Sequence, residues 1–167
     1  EQGIKVVPRR SGPSLSGGAL PLADGVLLGL GKFKRLREID FDNRVVVTEP
    51  GVTNLAISQA VSHAGFYYAP DPSSQIACSI GGNIAENSGG VHSLKYGMTT
   101  NNVLGCEFVL ITGEILRIGG KAPETDGYDV MGIITGSEGL LGVVTEVTVR
   151  ILKKPETARA LMVGFAE

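Results

Sequence analysis

The chain has 167 residues and carries 15 Lys and Arg against 17 Asp and Glu, which gives a net charge of −2. This is the length of one ordinary domain, or of two small subdomains in close contact, and it can bury a core without disulfides or a structural metal. The charge balance argues against a nucleic-acid-binding protein, which needs a basic face, and the absence of long apolar runs argues against a membrane span.

The first part of the chain is predicted to consist of short strands. Apolar and β-branched runs of strand length alternate with stretches rich in Gly, Ser and Pro, which favour turns and loops. The predicted strands are Ile4–Val7, Val26–Leu30 and Arg44–Glu49, with a loop over Arg9–Pro21 and a turn or short strand over Leu36–Asp42.

One helix is clearly predicted after these strands. Apolar residues recur with i, i+3, i+4, i+7 spacing from Ile57 to Ala64, which is typical of one helix face. Thr53 is a suitable N-terminal cap, and Gly65 supplies a C-terminal stop.

The remainder of the chain is predicted to mix short helices with longer strands. A hairpin is indicated where two apolar runs flank the Thr112-Gly113 turn. The predicted elements are a loop at Pro70–Gln75, a short helix at about Asn83–Asn87, strands Val103–Ile111 and Glu114–Ile118, helical turns at Tyr128–Ile134, and strands Gly142–Leu152 and Ala160–Phe165. The chain opens directly on a strand, and its last strand has almost no residues left to pair with, so we expect a fragment of a longer protein.

Glycine is the unusual feature of the composition, with 24 residues or about twice the usual share. Ser and Thr residues accompany four glycine clusters that lie between the predicted strands. Such loops offer backbone N–H groups and hydroxyl donors to an anion such as a pyrophosphate, although each cluster taken singly also fits a tight turn. The clusters are Gly12/Gly17/Gly18, Gly81/Gly82, Gly89/Gly90 and Gly136/Gly139/Gly142.

Other nucleotide and hydrolase motifs are absent. The P-loop pattern fails because Val26 stands where its first glycine is required, and the Rossmann pattern fails at Lys34. A nucleophile elbow is broken at Ser16. The two histidines share no metal-ligand spacing. Cys78 and Cys106 form no CxxC motif, which favours buried, reduced thiols in a cytoplasmic protein.

Three blocks of sequence resemble a known flavoprotein family. Residues Pro70–Gly105 (PDPSSQIACSIGGNIAENSGGVHSLKYGMTTNNVLG), Gly136–Leu152 (GSEGLLGVVTEVTVRIL) and, less closely, Arg9–Ala19 (RRSGPSLSGGA) are similar to the flavin-binding domain of the vanillyl-alcohol oxidase, or PCMH, type. Within it, the chain most resembles the glycolate oxidase FAD subunit and its D-lactate and D-2-hydroxyglutarate dehydrogenase relatives.

The resemblance implies an α+β fold of two subdomains with FAD lying between them, the first subdomain being truncated at its N-terminus. Residues 1–157 would form the flavin-binding domain, and residues 158–167 would begin a substrate-binding cap that the chain lacks. In such enzymes a small D-2-hydroxy acid is oxidised to the 2-oxo acid by hydride transfer to flavin N5. Without the cap we expect little turnover from these residues alone, and no catalytic base is identifiable among them.

The resemblance also implies which residues hold FAD. The first glycine loop and Gly81-Gly82 would cradle the pyrophosphate, a second group would line the flavin, and a third would contact the adenosine half. The first loop comprises Gly12, Ser14, Ser16, Gly17 and Gly18; the flavin group is Pro72, Ser74, Ser88, Gly90, Tyr96 and Gly97; the adenosine group is Glu138, Gly139, Gly142 and Val143. Asn87 is also assigned to the cofactor. FAD is expected to be non-covalent, with His92 the less favoured candidate for a covalent link. Other oxidase subunits are possible partners.

Two residues depart from the family's first loop. Arg10 stands where the family has glycine, and Pro13 where it has threonine. Proline has no N–H to donate, and Arg10 either strains a loop that requires positive φ or supplies a cation to the pyrophosphate. The competing hypothesis is therefore a non-catalytic scaffold or interaction domain that no longer retains FAD.

Overall fold

A computed structural model describes residues 3–14, 16–122 and 127–165. This part of the chain contains nine strands and four short α-helices. The strands are β1 Lys5–Arg9, β2 Gly25–Gly29, β3 Leu36–Asp40, β4 Val45–Thr48, β5 Phe66–Tyr67, β6 Val103–Leu110, β7 Ile115–Gly119, β8 Gly142–Arg150 and β9 Leu152–Lys153; the helices are α1 Asn54–Val61, α2 Ile80–Glu86, α3 Ser93–Tyr96 and α4 Val130–Ile134.

The larger unit is built on a five-stranded antiparallel sheet with the order β3-β4-β8-β6-β7. Helices α1 and α2 contribute Ile57, Val61, Ile80 and Ile84 to the same core as the buried valines of β4 and β8. The alternation of apolar and polar residues in β8 explains this arrangement, because one face of the strand meets the core. The register of β6 against β8 shifts between Val103 and Gly105 and again between Glu107 and Phe108.

The smaller unit is the parallel pair of β1 and β2, whose connection carries the first glycine loop. Parallel neighbours cannot be joined by a tight hairpin, so the chain makes a long crossover through residues 10–24. Val26, Leu27 and Leu28 of β2 are all exposed. The fold is therefore α+β with two units, as the family resemblance implies.

The predicted helix caps are confirmed at α1. The Thr53 side chain accepts a hydrogen bond from the Ala56 N–H at 3.2 Å, and Gly65 ends the following 3₁₀ turn with a φ of 76°. Each residue satisfies backbone groups that a helix end leaves without partners.

Two sequence predictions are corrected by the structure, and one helix is found where none is predicted. Residues Ala160–Phe165 form no strand; Leu161, Met162 and Phe165 are almost fully exposed and no neighbouring strand pairs with them in the described chain. The second helix begins at Ile80 instead of Asn83, and Asn87 is its left-handed C-terminal cap. Helix α3 was not anticipated, since four residues are too few to show helical periodicity.

Both cysteines are free and buried, as predicted. Burial raises the pKa of the Cys106 thiol to about 11. None of the helices in the described ranges has the length and apolar character needed to cross a membrane.

Candidate functional site

A cleft of about 490 Å³ lies where the β1–β2 crossover meets α2 and the start of β8. Its volume falls within the roughly 300–1,000 Å³ typical of ligand pockets. Apolar side chains such as Ile84, Phe108 and Ile134 line part of it, and four charged residues, Arg9, Arg10, Glu86 and Glu138, also face it.

The structure brings together most of the residues that the sequence assigns to FAD. All three walls of the cleft are represented: the crossover loop, helix α2 with its preceding loop, and the segment leading into β8. The assigned residues on the cleft wall are Gly12, Ser14, Gly17, Gly18, Ser74, Gly81, Gly82, Ser88, Glu138, Gly139, Gly142 and Val143.

Six assigned residues lie outside the cleft wall, namely Ser16, Pro72, Asn87, Gly90, Tyr96 and Gly97. Some of them are instead explained by contacts within the protein. Asn87 accepts the Thr100 N–H at 3.0 Å. A Cβ on Gly90 would collide with the backbone carbonyl of Asp71. Their contact with a cofactor stays a prediction.

The two adjacent glycines of α2, Gly81 and Gly82, differ in whether packing requires glycine. A Cβ on Gly81 would come within 2.6 Å of the Pro50 side chain, so close packing requires this glycine. A Cβ on Gly82 would meet only the Ser79 hydroxyl, at 3.5 Å, and Gly82 is exposed on the cleft. Glycine inside a helix costs roughly 0.5–1 kcal/mol relative to alanine, and neither packing nor positive φ explains that cost at Gly82.

Gly18 of the crossover loop shows the same pattern. Gly12 and Gly17 adopt φ values of 70° and 78°, which is reason enough for glycine. Gly18 has no such φ, and the nearest atom to its Cβ position is the Glu138 carbonyl at 3.8 Å. Gly18 and Gly82 therefore both leave open space on the wall of the cleft.

The third wall is a strained turn fixed to the end of α2. Gly136, Glu138 and Gly139 all have positive φ, and Glu138 is one of the few non-glycine residues to do so. The N–H groups of Gly136 and Glu138 each donate at 2.7 Å to the carbonyls of Ile84 and Ala85. These bonds satisfy the helix end and hold the strained turn against the cleft.

The loop hydroxyls are engaged differently from the prediction. The sequence predicts that Ser14 and Ser16 offer their hydroxyls to an anion. Instead the Ser14 hydroxyl donates to Glu86 Oε1 at 2.7 Å, and the Ser16 hydroxyl to Glu86 Oε2 at 3.4 Å. Because each hydroxyl has one proton, anion recognition in this arrangement falls to the backbone N–H groups.

Arg10 does not strain the loop. The described non-glycine residues with positive φ are Arg44, Asn87 and Glu138, so Arg10 is not among them. Its guanidinium donates to the Ser11 hydroxyl at 2.9 Å, and Arg10 is one of the residues that line the cleft. The sequence leaves two explanations open for Arg10, strain in the loop or a cation for an anionic ligand. The geometry favours the cation.

Asn83 and Asn54 form a buried polar support behind the cleft. The Asn83 amide donates to Asn54 Oδ1, and the Asn54 amide donates to the Pro70 carbonyl at 2.8 Å. The first bond joins α2 to α1, and the second fixes the start of the Pro70–Gln75 loop. Sequence reasoning did not single out either asparagine, because no local pattern marks a contact across 29 residues.

A cluster of titratable groups stands beyond the rim of the cleft. His92 Nδ1 lies 2.7 Å from Asp71 Oδ2, and Tyr96 packs edge-on against Tyr67. Hydrogen bonds from Tyr67 and Lys95 lower the pKa of Tyr96. His92 does not line the cleft.

The cleft fits an extended dinucleotide such as FAD. In the described residues, the N–H groups of Gly12, Ser14, Gly17, Gly18 and Gly82 have no protein partner and are free to donate. Two glycines leave room for close approach, two arginines supply positive charge, and apolar side chains cover the remaining wall. This donor set suits a pyrophosphate flanked by two ring systems.

Comparison with known proteins gives several close relatives. The chain is 56% identical over 162 residues to the glycolate oxidase subunit GlcD of Escherichia coli K12, which covers 97% of this chain and 32% of that protein. It is 45% identical to GlcD of Bacillus subtilis, covering 97% and 35%. It is 39% identical to a D-lactate dehydrogenase of Archaeoglobus fulgidus, covering 99% and 37%. The chain thus spans about a third of the length of these relatives.

Solved structures agree on the fold. A structure of alkyldihydroxyacetonephosphate synthase superimposes with a TM-score of 0.81 at 23% identity, covering 92% of this chain and 28% of that one. The family described as "FAD binding domain" matches residues 1–119. The match covers more than half of the chain and includes two walls of the cleft, so FAD is the cofactor, and the chain belongs to the FAD binding domain family.

Proposed function

We propose that this chain holds FAD for an oxidoreductase that converts a small D-2-hydroxy acid, such as glycolate or D-lactate, to the 2-oxo acid. The observation that supports this most is the 56% identity to a glycolate oxidase subunit over a stretch that includes every wall of the cleft. Bound FAD supplies the redox chemistry by accepting the hydride equivalent. The residues of this chain bind and orient the cofactor.

Each wall is proposed to hold one part of the cofactor. The crossover loop and Gly82 surround the pyrophosphate with free N–H groups, and Gly81, whose own N–H donates to the Pro50 carbonyl, lies beside it. The turn through Glu138 and Gly139, with Gly142 and Val143, contacts the adenosine half. Ser74 and Ser88 contact the flavin, with Pro72, Asn87, Gly90, Tyr96 and Gly97 supporting that end.

Attachment of FAD is proposed to be non-covalent. His92 lies outside the cleft wall, and its Nδ1 is held by the Asp71 carboxylate at 2.7 Å. This contact keeps the imidazole against the Pro70–Gln75 loop and away from the cleft. Acid precipitation of the loaded protein should therefore release the flavin.

The hydroxy acid is proposed to be bound outside this chain. We assign residues 1–157 to the flavin-binding domain and 158–167 to the beginning of a substrate-binding cap. The two thirds of the relatives' length beyond the match would supply the groups that hold the substrate carboxylate. Since relatives are named as subunits, further oxidase subunits are proposed partners.

A chimera tests this function. This chain would replace the matched 162-residue stretch of the E. coli subunit, and the FAD-loaded chimera would be mixed anaerobically with glycolate, D-lactate or L-lactate. We expect glycolate and D-lactate to bleach the flavin absorbance and L-lactate not to. A chimera that folds and holds FAD but is reduced by no small hydroxy acid would refute the substrate class.

Arg10 and Pro13 give a paired prediction about cofactor affinity. Pro13→Thr adds an N–H and a hydroxyl beside the proposed pyrophosphate, and one hydrogen bond to a charged group corresponds to roughly tenfold in affinity or more. Arg10→Gly removes a cation from the cleft wall. We expect FAD to bind about tenfold more tightly to the first variant and about tenfold more weakly to the second, measured by quenching of flavin fluorescence. Tighter binding by Arg10→Gly would restore the strain explanation.

A further inference from the structure

Glu86 attaches the first part of the crossover loop to helix α2. Within residues 11–14 and 16–20, the hydrogen bonds that leave the loop are those from the Ser14 and Ser16 hydroxyls to the two carboxylate oxygens of Glu86. The other bonds of this segment either stay inside it, such as Leu20 N–H to the Gly17 carbonyl, or join it to the adjacent Arg10, whose guanidinium donates to the Ser11 hydroxyl.

Glu86 also lies on the face of α2 that forms the opposite wall. Residues four apart share a helix face, so Glu86 and Gly82 both face the cleft, which both of them line. One carboxylate therefore bridges the two elements proposed to surround the pyrophosphate, across more than 70 residues of sequence.

We propose that Glu86 is a positioning residue for cofactor binding, which sets the distance between the crossover loop and α2 and acts through the hydroxyls of Ser14 and Ser16. The proposal rests on FAD occupying this cleft. Glu86 makes no contact with phosphate itself in this role, since two carboxylate oxygens can only accept hydrogen bonds. With both hydroxyl protons directed to Glu86, the loop presents its backbone N–H groups to the ligand.

Electrostatic repulsion opposes the proposed effect of Glu86, so the two effects predict opposite changes in FAD affinity when the carboxylate is removed. A carboxylate in the same cleft as a pyrophosphate repels it, and this repulsion is screened because Glu86 is exposed to solvent. If repulsion dominated, removing the carboxylate would tighten FAD binding. If the attachment dominates, as we propose, removing it will weaken binding, because the loop must then be ordered by the ligand.

The test combines variants at both ends of the contact. Glu86→Ala removes the carboxylate, whereas the Ser14→Ala/Ser16→Ala double variant removes the hydroxyls and keeps the charge. We expect each to weaken FAD and ADP binding about tenfold, with riboflavin binding unchanged, and the triple variant to be no weaker than Glu86→Ala. Glu156→Ala, which removes an exposed carboxylate away from the cleft, is the matched control.

Limited trypsin digestion of the ligand-free protein measures how firmly the loop is attached to α2. Cleavage after Arg10, at the start of the loop, should be several-fold faster in Glu86→Ala and in the serine variant than in the wild type. Equal cleavage rates, tighter FAD binding by Glu86→Ala, or a serine variant that behaves like the wild type would each overturn the proposal. Failure of the wild-type chain to bind FAD would instead refute the proposed function. The digestion would still show whether Glu86 holds the loop against α2.

Discussion

Replacing Gly82 with leucine is expected to weaken FAD binding at least about 100-fold while leaving the fold intact. The Cβ position of Gly82 is open to the cleft, with only the Ser79 hydroxyl in ordinary contact at 3.5 Å. A leucine side chain would therefore fit the free protein and fill the space proposed for the pyrophosphate. The loss corresponds to about 3 kcal/mol of binding free energy.

The stability of this variant is expected to move in the opposite direction. Leucine favours a helix interior over glycine by up to about 1 kcal/mol, so the melting temperature of the ligand-free protein should stay the same or rise. Gly31→Leu is the matched control, since Gly31 is also exposed, has no positive φ and has nothing within 4 Å of its Cβ position. Unchanged FAD affinity in Gly82→Leu would show that the cofactor does not approach α2.

Glu49→Gln is expected to destabilise the protein by about 2 kcal/mol. Glu49 is 2% exposed, and its carboxylate accepts the Arg35 N–H at 2.9 Å and the guanidiniums of Arg35 and Arg37 at 3.0 and 3.1 Å. Removing one partner of a buried pair costs about 3–5 kcal/mol, and solvent around the arginines reduces that figure. Denaturant unfolding measures the difference, with Glu156→Gln as an exposed control.

The same residue predicts a pH dependence. Burial alone would raise the pKa of Glu49, but hydrogen bonds from Arg35 and Arg37 lower it overall from its ordinary value of 4.5. A lowered folded-state pKa contributes stability that is complete above the ordinary value and is lost as the pH falls through the folded one. The gap between wild type and Glu49→Gln should therefore be constant near neutral pH and shrink below about pH 4. A gap that grows on acidification would contradict this assignment.

Glu49 also connects stability to the cleft. It is followed by Pro50, whose carbonyl accepts the Gly81 N–H at 2.8 Å, and by Gly51, whose N–H donates to the Phe33 carbonyl at 2.7 Å. The ion pair thus fixes the turn against which α2 begins. We expect any loss of FAD affinity in Glu49→Gln to arise from loosening of this turn.

The sequence predicted the walls of the cleft better than the contacts within it. Glycine clusters mark positions where backbone comes close to a partner or takes positive φ, and both causes are visible along the chain. The family blocks added the assignment to FAD. Neither source revealed Glu86, because its partners lie some 70 residues away and a single glutamate at a helix end carries no pattern.

Errors in the elements have physical causes. The sequence predicts a start of α2 at Asn83, three residues after the true start at Ile80, because two adjacent glycines disfavour a helix. In the fold, the carbonyls of Val52 and Pro50 accept the N–H groups of Ile80 and Gly81 at 2.8 Å, which offsets that cost. The apolar run at Ala160–Phe165 has strand composition but no partner strand in the described chain, and a strand requires one.

The central claim, that the cleft between the crossover loop and α2 holds non-covalent FAD, is tested most directly by the visible absorption spectrum of the purified protein. The spectrum would be recorded before and after acid precipitation. We predict a flavin spectrum that passes entirely into the supernatant. Flavin retained in the pellet would contradict non-covalent binding and direct attention to His92, and a colourless protein after incubation with excess FAD would contradict the account as a whole.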